Sequence, residues 1–425
     1  MLLFPRRNEV GIARSSATER RPPEDAPVLR SRADRHERHD NTMLPSQRAL
    51  FDIPREICYL NAASWSPLPI ATQDAGRAGV ARKGQPWLID PAHPAAQYER
   101  ARRAAARLIN ADADDVALIS SVSYGVAAAA KLMTVPTASR VLVLENAHSS
   151  AVLEWMTRAP SGRFTVEVVP RPADGDWTAA VLAAIERPGA SPVGLASISS
   201  VHWSDGGVVD MDRVAAALRR QAAMLLVDAT HAAGVMKIDV RSLDPDFLVF
   251  PTYKWLLGPY GRAFLYIAKR RQDGVPLEQT SYGRRAITSE RESYYRDTEF
   301  VAGARRFDMG ERDHFISLEM ASVGMEMMAQ WGCDAVQGRL RVLTARLADG
   351  LGNGGVTIPD AAVRVPHILS LHFPTGMPER LIERLAAEQI YVAPRIGRVR
   401  ISPHVYNDEE DIDRFVASFR RLACA

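Results

Sequence analysis

The stretch DFLVFPTYKWLLGPYGRAFLYIA, residues 246–268, contains one lysine, Lys254, between two apolar runs. Each run is short and nearly continuous, which is typical of a strand that is covered on both faces. A turn with two glycines separates the lysine from the second run. An ammonium group in such apolar surroundings is costly. The stretch therefore indicates a reactive lysine, although Lys254 taken alone could also be one half of an ion pair.

Strands and helices alternate upstream of this stretch, from about residue 100 onward. Helical segments separate further apolar runs, at residues 115–121, 139–146, 164–171, 192–201 and 223–230. Alternation of this kind predicts an α/β fold with a mostly parallel sheet, right-handed crossovers and flanking helices. From about residue 315, two long helical segments lead into shorter strands and helices, which predicts a smaller α+β domain.

The predicted organisation has four parts: an extension at 1–45, a segment near the active site at 46–70, a large α/β domain at 71–309 and a small α+β domain at 310–425. Residues 1–42 are rich in arginine and acid and poor in apolar side chains, so we expect disorder there. Met43 offers an alternative start. A disordered segment does not fix ligand geometry, so HERHD (residues 36–40) is not expected to hold a metal.

The composition is that of an ordinary soluble protein, with 47% hydrophobic and 24% charged residues. A net charge of +3 is small for 425 residues, which argues against nucleic acid or an anionic membrane as a partner. No apolar run approaches the roughly 18 residues of a membrane span. Cys58, Cys333 and Cys424 lie far apart, which argues against a disulfide scaffold or a cysteine zinc site and favours the cytoplasm.

Polar side chains follow several of the predicted strands at the point where each strand ends. Because the carboxyl ends of parallel strands meet at one edge of a sheet, we expect these side chains to share a crevice. They are Ser121 and Ser123, with Val122 between them in the turn at the start of a helix, then His148, His202, Asp228, His231 and Lys254. Taken singly, each has a structural alternative, because serines and aspartates often cap helices or turns and a histidine is often hydrogen-bonded in a core.

Taken together, these residues suit pyridoxal 5'-phosphate (PLP). Its aldehyde needs a lysine for a Schiff base, and its pyridine nitrogen needs a carboxylate that keeps the ring protonated. Its phosphate suits the free N–H groups at the start of a helix, and its ring needs a flat group to stack on. The sequence therefore predicts PLP as the cofactor.

The sequence resembles the class V aminotransferases of PLP fold type I, a family that includes cysteine desulfurases, kynureninases and isopenicillin-N-epimerase-like enzymes. The resemblance extends from YLNAASWSPLP (residues 59–69) to RISPHVYNDEEDID (residues 400–413). Its most specific part is VDATHAAG (residues 227–234) followed by TYKWLLGPYG (residues 252–261). It implies a large PLP-binding α/β domain, a smaller C-terminal domain and a homodimer with its sites at the interface.

The resemblance also implies a role for each matching residue. Lys254 would form the Schiff base, and Asp228 would pair with the pyridine nitrogen. His231 would contact the ring hydroxyl, and His148 would stack on the ring face. The phosphate would be bound by Val122, Ser123 and Tyr253, and the substrate carboxylate by Arg400.

Three features depart from the family pattern. VAPRIGRVR (residues 392–400) lacks the cysteine that desulfurases carry in this region, and Cys424 lies too near the end to replace it, so a persulfide mechanism is not expected. Gly310 is followed by the acid Glu311 where many relatives have a threonine that reaches the neighbouring subunit's phosphate. Trp203 stands where several relatives have asparagine, which makes the pocket more like those of the epimerases and kynureninases.

We predict an aminotransferase that acts on an amino acid, with a lyase or an epimerase as the alternative. In all three reactions Lys254 would take the Cα proton, and only the later fate of that proton or of a leaving group differs. A non-catalytic PLP-binding protein is a third interpretation, which the intact set of Lys254, Asp228 and Arg400 disfavours. Trp65, Tyr260 and Glu311 are further candidates for the wall of the substrate pocket.

Overall fold

A computed structural model describes residues 43–285, 298–352 and 355–423 of the chain. Contacts within the chain divide it into Met1–Thr42 and Met43–Ala425. The disorder predicted for residues 1–42, the HERHD motif and Cys424 lie outside the described residues. In the part that is described, no helix combines the length and the hydropathy of a membrane span.

The strands, in chain order, are β1 (Cys58–Tyr59), β2 (Val116–Ile119), β3 (Arg140–Leu144), β4 (Thr165–Val169), β5 (Val193–Ser199), β6 (Met224–Asp228), β7 (Phe247–Pro251), β8 (Ala263–Ile267), β9 (Leu369–His372), β10 (Ile390–Tyr391), β11 (Ala393–Arg395) and β12 (Arg398–Ile401). The α-helices are α1 (Ile70–Gly84), α2 (His93–Leu108), α3 (Val122–Leu132), α4 (Leu153–Gly162), α5 (Trp177–Ile185), α6 (Met211–Arg220), α7 (Val240–Leu243), α8 (Ser317–Trp331), α9 (Cys333–Leu351), α10 (Leu381–Ala387) and α11 (Glu409–Ala423).

A seven-stranded sheet forms the centre, in the order β2-β8-β7-β6-β5-β3-β4. Neighbouring strands are parallel except at β8, which runs antiparallel to both β2 and β7. Every residue of β2, β3 and β5 to β8 is buried, whereas the edge strand β4 is partly exposed. Alternate strand residues face two separate apolar cores, one on each side of the sheet. The predicted α/β fold with a mostly parallel sheet is therefore confirmed.

The chain reverses its direction across the sheet between β3 and β5. It passes from β3 outward to β4 and then returns to form β5 on the other side of β3, before continuing to β6 and β7. Such a switch leaves a crevice beyond the carboxyl ends of the strands, where open α/β sheets bind ligands. The ends of β3, β5, β6 and β7 meet at this crevice.

The C-terminal part is a smaller α+β arrangement, as predicted. An antiparallel sheet in the order β11-β12-β9 packs with α9, α10 and α11. The segment before α1 joins this part, because β1 pairs with β10 in parallel and Asn61 forms a bridge with Ser402. Residues 43–425 group as one compact unit, so the proposed boundaries at 70/71 and 309/310 stay a prediction.

A buried ion pair fastens α2 and β2 to the segment before α8. Asp308 Oδ1 accepts hydrogen bonds from Arg102 Nη1 at 3.0 Å and from Leu118 N at 2.9 Å. Its Oδ2 accepts from Arg102 Nη2 at 2.7 Å and from Arg312 Nη1 at 2.6 Å. Both side chains of the Arg102–Asp308 pair are fully buried. The pair therefore holds together elements that lie far apart in the sequence.

We expect Asp308→Ala to lower the free energy of unfolding by about 3–5 kcal/mol, because it removes the buried counterion of Arg102 and leaves only the partly exposed Glu99 paired with its Nε. Urea denaturation followed by fluorescence measures the change. The matched control is Asp413→Ala, whose partner Arg346 is exposed at the surface, and this variant should keep its midpoint close to that of the wild type. Equal losses in the two variants would contradict the structural role of Asp308.

Candidate active site

A cavity of about 190 Å³ lies at the carboxyl ends of β3, β5, β6 and β7. It is lined by Ser120, Ser121, Val122, Ser123, His148, Ser150, Ser199, Trp203, Asp228, Thr230, His231, Tyr253, Lys254, Tyr260 and Gly261. The structure thus brings together Ser121, Val122, Ser123, His148, Asp228, His231, Tyr253 and Lys254, which come from four separate stretches of the sequence. Arg400 lines an adjoining cavity, and His202 lines neither.

Lys254 follows β7 and is 8% exposed. Its Nζ lies 3.3 Å from His231 Nε2 and 5.5 Å from the centre of the Tyr253 ring. Burial lowers the pKa of Lys254 to about 7, and the Arg400 guanidinium adds to this effect while the Asp228 carboxylate opposes it. A large share of the amine is therefore neutral at neutral pH and can act as a nucleophile or a base.

Trp255, the residue after the lysine, selects the tautomer of His231. Its Nε1 donates a hydrogen bond to His231 Nδ1 at 3.1 Å, so the proton of the neutral ring lies on Nε2, the nitrogen that faces Lys254. Full burial holds the pKa of His231 well below its usual value, with Lys254 adding to the effect. His231 therefore offers one neutral N–H donor to the cavity.

Asp228 ends β6 with its carboxylate held in place by hydroxyl and amide groups. Asp228 Oδ1 accepts a hydrogen bond from Thr230 N at 2.9 Å and a shorter one from the Thr230 hydroxyl. Ser199 Oγ lies 3.5 Å from Oδ2. Neither Ser199 nor Thr230 was predicted, although a hydroxyl two residues after an aspartate is a common turn signal. The carboxylate is buried and faces the cavity, where it can meet a protonated ring nitrogen.

His148 and Trp203 line both cavities together with the lysine. Burial lowers the pKa of His148, and the charge of Lys254 lowers it further, so the ring presents a neutral flat face. The Trp203 ring meets it edge-on, with ring centres 6.1 Å apart. Trp203 Nε1 donates to Asn146 O at 2.6 Å, which fixes the indole at the boundary between the two cavities.

The start of α3 forms the polar end of the cavity. Ser121 is the N-cap, and its Oγ accepts a hydrogen bond from Tyr124 N at 3.1 Å. The first N–H groups of a helix have no acceptor within the helix and favour an anion. Gly125 lets α3 approach the sheet closely, since a Cβ there would lie 2.8 Å from side-chain atoms of Ile119 and Val249. Ser121, Val122 and Ser123, predicted as an anion site, thus lie at the start of α3 and line the cavity.

His202, predicted as a cofactor contact, lines neither of the two cavities at the lysine. Its Nε2 lies 2.9 Å from Glu145 O, and its Nδ1 lies 3.1 Å from Ser204 Oγ. Its ring stacks on Trp177 with centres 4.9 Å apart. Burial lowers its pKa to about 4. The neutral ring is fully engaged in holding the loop that carries Trp203, which is a structural role.

The second cavity, of about 370 Å³, adjoins the first and shares His148, Trp203, Tyr253, Lys254 and Tyr260 with it. The rest of its lining is Asn61, Ala63, Ser64, Trp65, Val392, Ala393, Pro394, Arg395 and Arg400. Trp65 and Tyr260, both predicted as wall residues, line its mouth and are each 62% exposed. Glu311 lines neither cavity.

Arg400 is 1% exposed at the inner end of this cavity. Its Nη1 donates to Trp203 O at 2.7 Å and its Nη2 to Ser64 Oγ at 2.7 Å. Its Nε is buried without a partner among the described residues. Burial lowers the pKa of Arg400 to about 9, with Arg395 adding to the effect, so the group stays charged at neutral pH. One N–H of each Nη remains unused by these contacts, and a substrate carboxylate would accept from them.

Comparison with known proteins agrees with this geometry. The family model for aminotransferase class-V matches residues 91–415. The chain belongs to the class V aminotransferase family. It is 28% identical over 319 residues to the uncharacterized aminotransferase YcbU of Bacillus subtilis, which covers 74% of this chain and 80% of YcbU. It is 26% identical over 384 residues to isopenicillin N epimerase of Streptomyces clavuligerus, which covers 85% of this chain and 94% of the epimerase.

Solved structures show the same fold. An apo cysteine desulfurase from Thermococcus onnurineus NA1 is similar with a TM-score of 0.76 at 19% identity, over 89% of this chain and 97% of that one. A C-DES mutant with glycine covalently linked to its PLP cofactor is similar with a TM-score of 0.78 at 18% identity, over 88% of this chain and 99% of that one. These two solved structures therefore show the fold of the chain, and its family is that of the class V aminotransferases.

The residues of the first cavity fit PLP. A buried amine, a buried carboxylate and a helix start surround one space of about 190 Å³. Lys254 would hold the aldehyde carbon, Asp228 the pyridine nitrogen, and the start of α3 the phosphate. His231, through its Nε2–H, would meet the ring hydroxyl.

The lowered pKa of Lys254 predicts how the cofactor-free protein captures PLP. Only the neutral amine attacks an aldehyde, and a lysine with the ordinary pKa of 10.5 is neutral in about one molecule in 3,000 at pH 7. With a pKa of about 7, the neutral fraction is about one half at that pH. The capture rate, followed by stopped-flow absorbance, should rise through pH 7 and level off above it. A rate that still rises about tenfold per pH unit beyond pH 9 would contradict this pKa.

Proposed function

We propose that this class V family member is an aminotransferase that moves the amino group of an amino acid substrate. The observation that carries the proposal is the position of Lys254. Its amine, about half of which is neutral at pH 7, lines both cavities, with Asp228 on the cofactor side and Arg400 on the substrate side. A base between a cofactor site and a carboxylate site is what proton transfer at the Cα of an amino acid requires.

Each residue then has a defined task. Arg400 would bind the substrate carboxylate and so place Cα beside Lys254. Lys254 Nζ would take the proton from Cα, and its lowered pKa makes it a competent base near neutral pH. Asp228 and the His231 Nε2–H would fix the charge and orientation of the ring. When bound, PLP supplies an electron-withdrawing ring that stabilises negative charge on Cα.

A lyase or an epimerase is the second candidate, because the same residues would serve it. The 26% identity to isopenicillin N epimerase over 94% of that enzyme supports it. A persulfide mechanism lacks its nucleophile in the part of the chain that is described. Cys58 is buried and its thiol donates to Asp411 O, and Cys333 begins α9; neither lines a cavity.

A panel of amino acids tests these candidates on the PLP-loaded protein. An aminotransferase should give a 2-oxo acid and a new amino acid only when a 2-oxo acid acceptor is added. Ammonia and pyruvate without an acceptor would identify a lyase, and deuterium uptake at Cα without net product would identify an epimerase. A cofactor band that no amino acid perturbs would overturn all three and leave a PLP-binding protein.

The enzyme is also proposed to be a cytoplasmic homodimer with no nucleic acid or membrane partner. Trp65 and Tyr260 at the mouth of the site, and Trp87 and Leu88 after α1, are exposed apolar side chains. Exposed apolar surface of this kind supports an interface with a second copy of the chain. The small net charge argues against a nucleic acid or membrane partner, and the three scattered cysteines favour the cytoplasm. Light scattering after size exclusion measures the mass, and a monomer at micromolar concentration would overturn the dimer.

A further inference from the structure

The substrate cavity has an excess of positive charge. Arg395, Arg400 and Lys254 all line it, and none of the residues around it is an acid. Over the described residues, Arg395 and Arg400 form no ion pair with a carboxylate, whereas other arginines of the C-terminal part, such as Arg339 and Arg346, do. One amino acid carboxylate would neutralise Arg400 and leave Arg395 without a counterion. The cavity thus carries more positive charge than an amino acid with a neutral side chain would neutralise.

Ser64 holds the two guanidinium groups at a fixed separation. Its Oγ accepts a hydrogen bond from Arg395 Nη2 at 2.7 Å and another from Arg400 Nη2 at 2.7 Å. The same hydroxyl donates to Asn61 Oδ1 at 2.7 Å, so its one donor and two acceptor positions are all used. Each guanidinium keeps further N–H groups for a ligand.

The β11–β12 hairpin and Trp203 fix the position of Arg395. A two-residue turn joins the strands, with positive φ at both Ile396 and Gly397, which is the geometry of a tight hairpin. The Arg395 guanidinium lies 5.8 Å from the centre of the Trp203 ring, and burial lowers its pKa. Arg395 is therefore a partly desolvated cation at the outer end of the cavity, whereas Arg400 is at the inner end.

We propose that Arg395 is a specificity-determining residue that binds a second carboxylate, so that the substrate is an amino acid with a carboxylate in its side chain. This inference rests on the proposed function, since it assumes that Arg400 takes the α-carboxylate. The cavity, at about 370 Å³, has the size of a small-molecule pocket and extends from Lys254 to both arginines. A neutral amide at the same place would leave Arg395 unpaired.

The test compares acid and amide pairs on the PLP-loaded protein. The dissociation constants of L-glutamate and L-glutamine, and of L-aspartate and L-asparagine, are measured from the change in cofactor absorbance. Calorimetry with glutarate and its monoamide repeats the comparison without any chemistry at Cα. We expect the better-fitting acid to bind at least about tenfold more tightly than its amide, as for a buried charged hydrogen bond.

Arg395→Gln should bring the acid-to-amide ratio to within about twofold, and Arg395→Met should do the same. Arg398→Gln is the matched control. Arg398 lies opposite Arg395 in the register of the hairpin and carries the same charge, but it does not line the cavity. It should keep the wild-type ratio. Arg395→Lys should keep part of the preference, since the charge is retained and the bidentate geometry is lost.

Three results would overturn the inference while leaving the proposed function intact. In the first, the wild type binds acid and amide with equal affinity. In the second, Arg395→Gln loses the same affinity for the acid as for the amide. In the third, Arg398→Gln changes the acid-to-amide ratio as much as Arg395→Gln does. The second would make Arg395 another contact of the α-carboxylate, and the third would indicate a general field effect. Failure of every amino acid to perturb the cofactor overturns the proposed function instead.

Discussion

Lys254→Ala is expected to lose covalently held cofactor and to lower kcat/KM by about 10³-fold or more. The substitution removes both the amine that holds the aldehyde and the base that lies at Cα. Borohydride reduction followed by mass measurement of the denatured chain detects the covalent adduct. The wild type should carry one PLP-derived mass after reduction, and the variant should carry none.

Two further variants test whether the amine of Lys254 is required, or only a positive charge or any lysine. Lys254→Arg keeps a positive charge, but a guanidinium does not deprotonate in a protein, so it should be as inactive as Lys254→Ala. Lys237→Ala removes an exposed lysine elsewhere on the surface and should retain both adduct and activity. If Lys254→Arg retained the adduct, or if Lys237→Ala lost it, the assignment of Lys254 would be wrong.

Arg400→Gln is expected to raise KM for the amino acid by about 10²-fold or more and to leave the cofactor band in place. Loss of one partner from a buried, hydrogen-bonded charge pair costs about 2–5 kcal/mol. The lost partner here is the guanidinium whose Nε has no other acceptor among the described residues. Steady-state kinetics with the best amino acid of the panel, together with the absorbance spectrum, measure both effects.

Arg400→Lys should recover only a small part of this loss, because an ammonium group cannot reproduce the planar fork that binds a carboxylate. The control is Arg346→Gln, which removes an exposed arginine that pairs with Asp413 on the surface. It should have the KM of the wild type. A normal KM in Arg400→Gln would show that the α-carboxylate binds elsewhere, and Arg395 would then be the next candidate.

Much of the fold could be predicted because buried parallel strands have a recognisable composition. β2, β3 and β5 to β8 are short apolar runs, and each ends close to where the run ends. Strand order was not predictable in the same way, since it depends on pairing between distant segments. The antiparallel direction of β8 follows from the short connection after β7, which is too short for a crossover. α1 escaped prediction because it has hardly any apolar stripe.

Most of the predicted site residues lie at or shortly after the end of a strand, whereas Arg400 lies within β12 and was predicted from the family resemblance. Asp228 ends β6 and Lys254 follows β7, where the crevice of an α/β sheet lies. His202 also follows a strand, yet its position in the sequence does not show whether its ring faces the cavity. In the structure the ring stacks on Trp177 and does not line the cavity. Ser64 and Arg395 were missed because they meet only through tertiary contact between distant segments.

The Ser64–Arg400 hydrogen bond has a consequence for the order in which the protein can become functional. Its two residues are 336 positions apart, and β1 depends on β10 for its only pairing among the described strands. At about 5–20 residues per second, a ribosome needs roughly 17 to 67 s to synthesise the intervening chain. During that time residues 58–64 have no partner strand, so the wall of the substrate cavity cannot form until synthesis has passed Arg400.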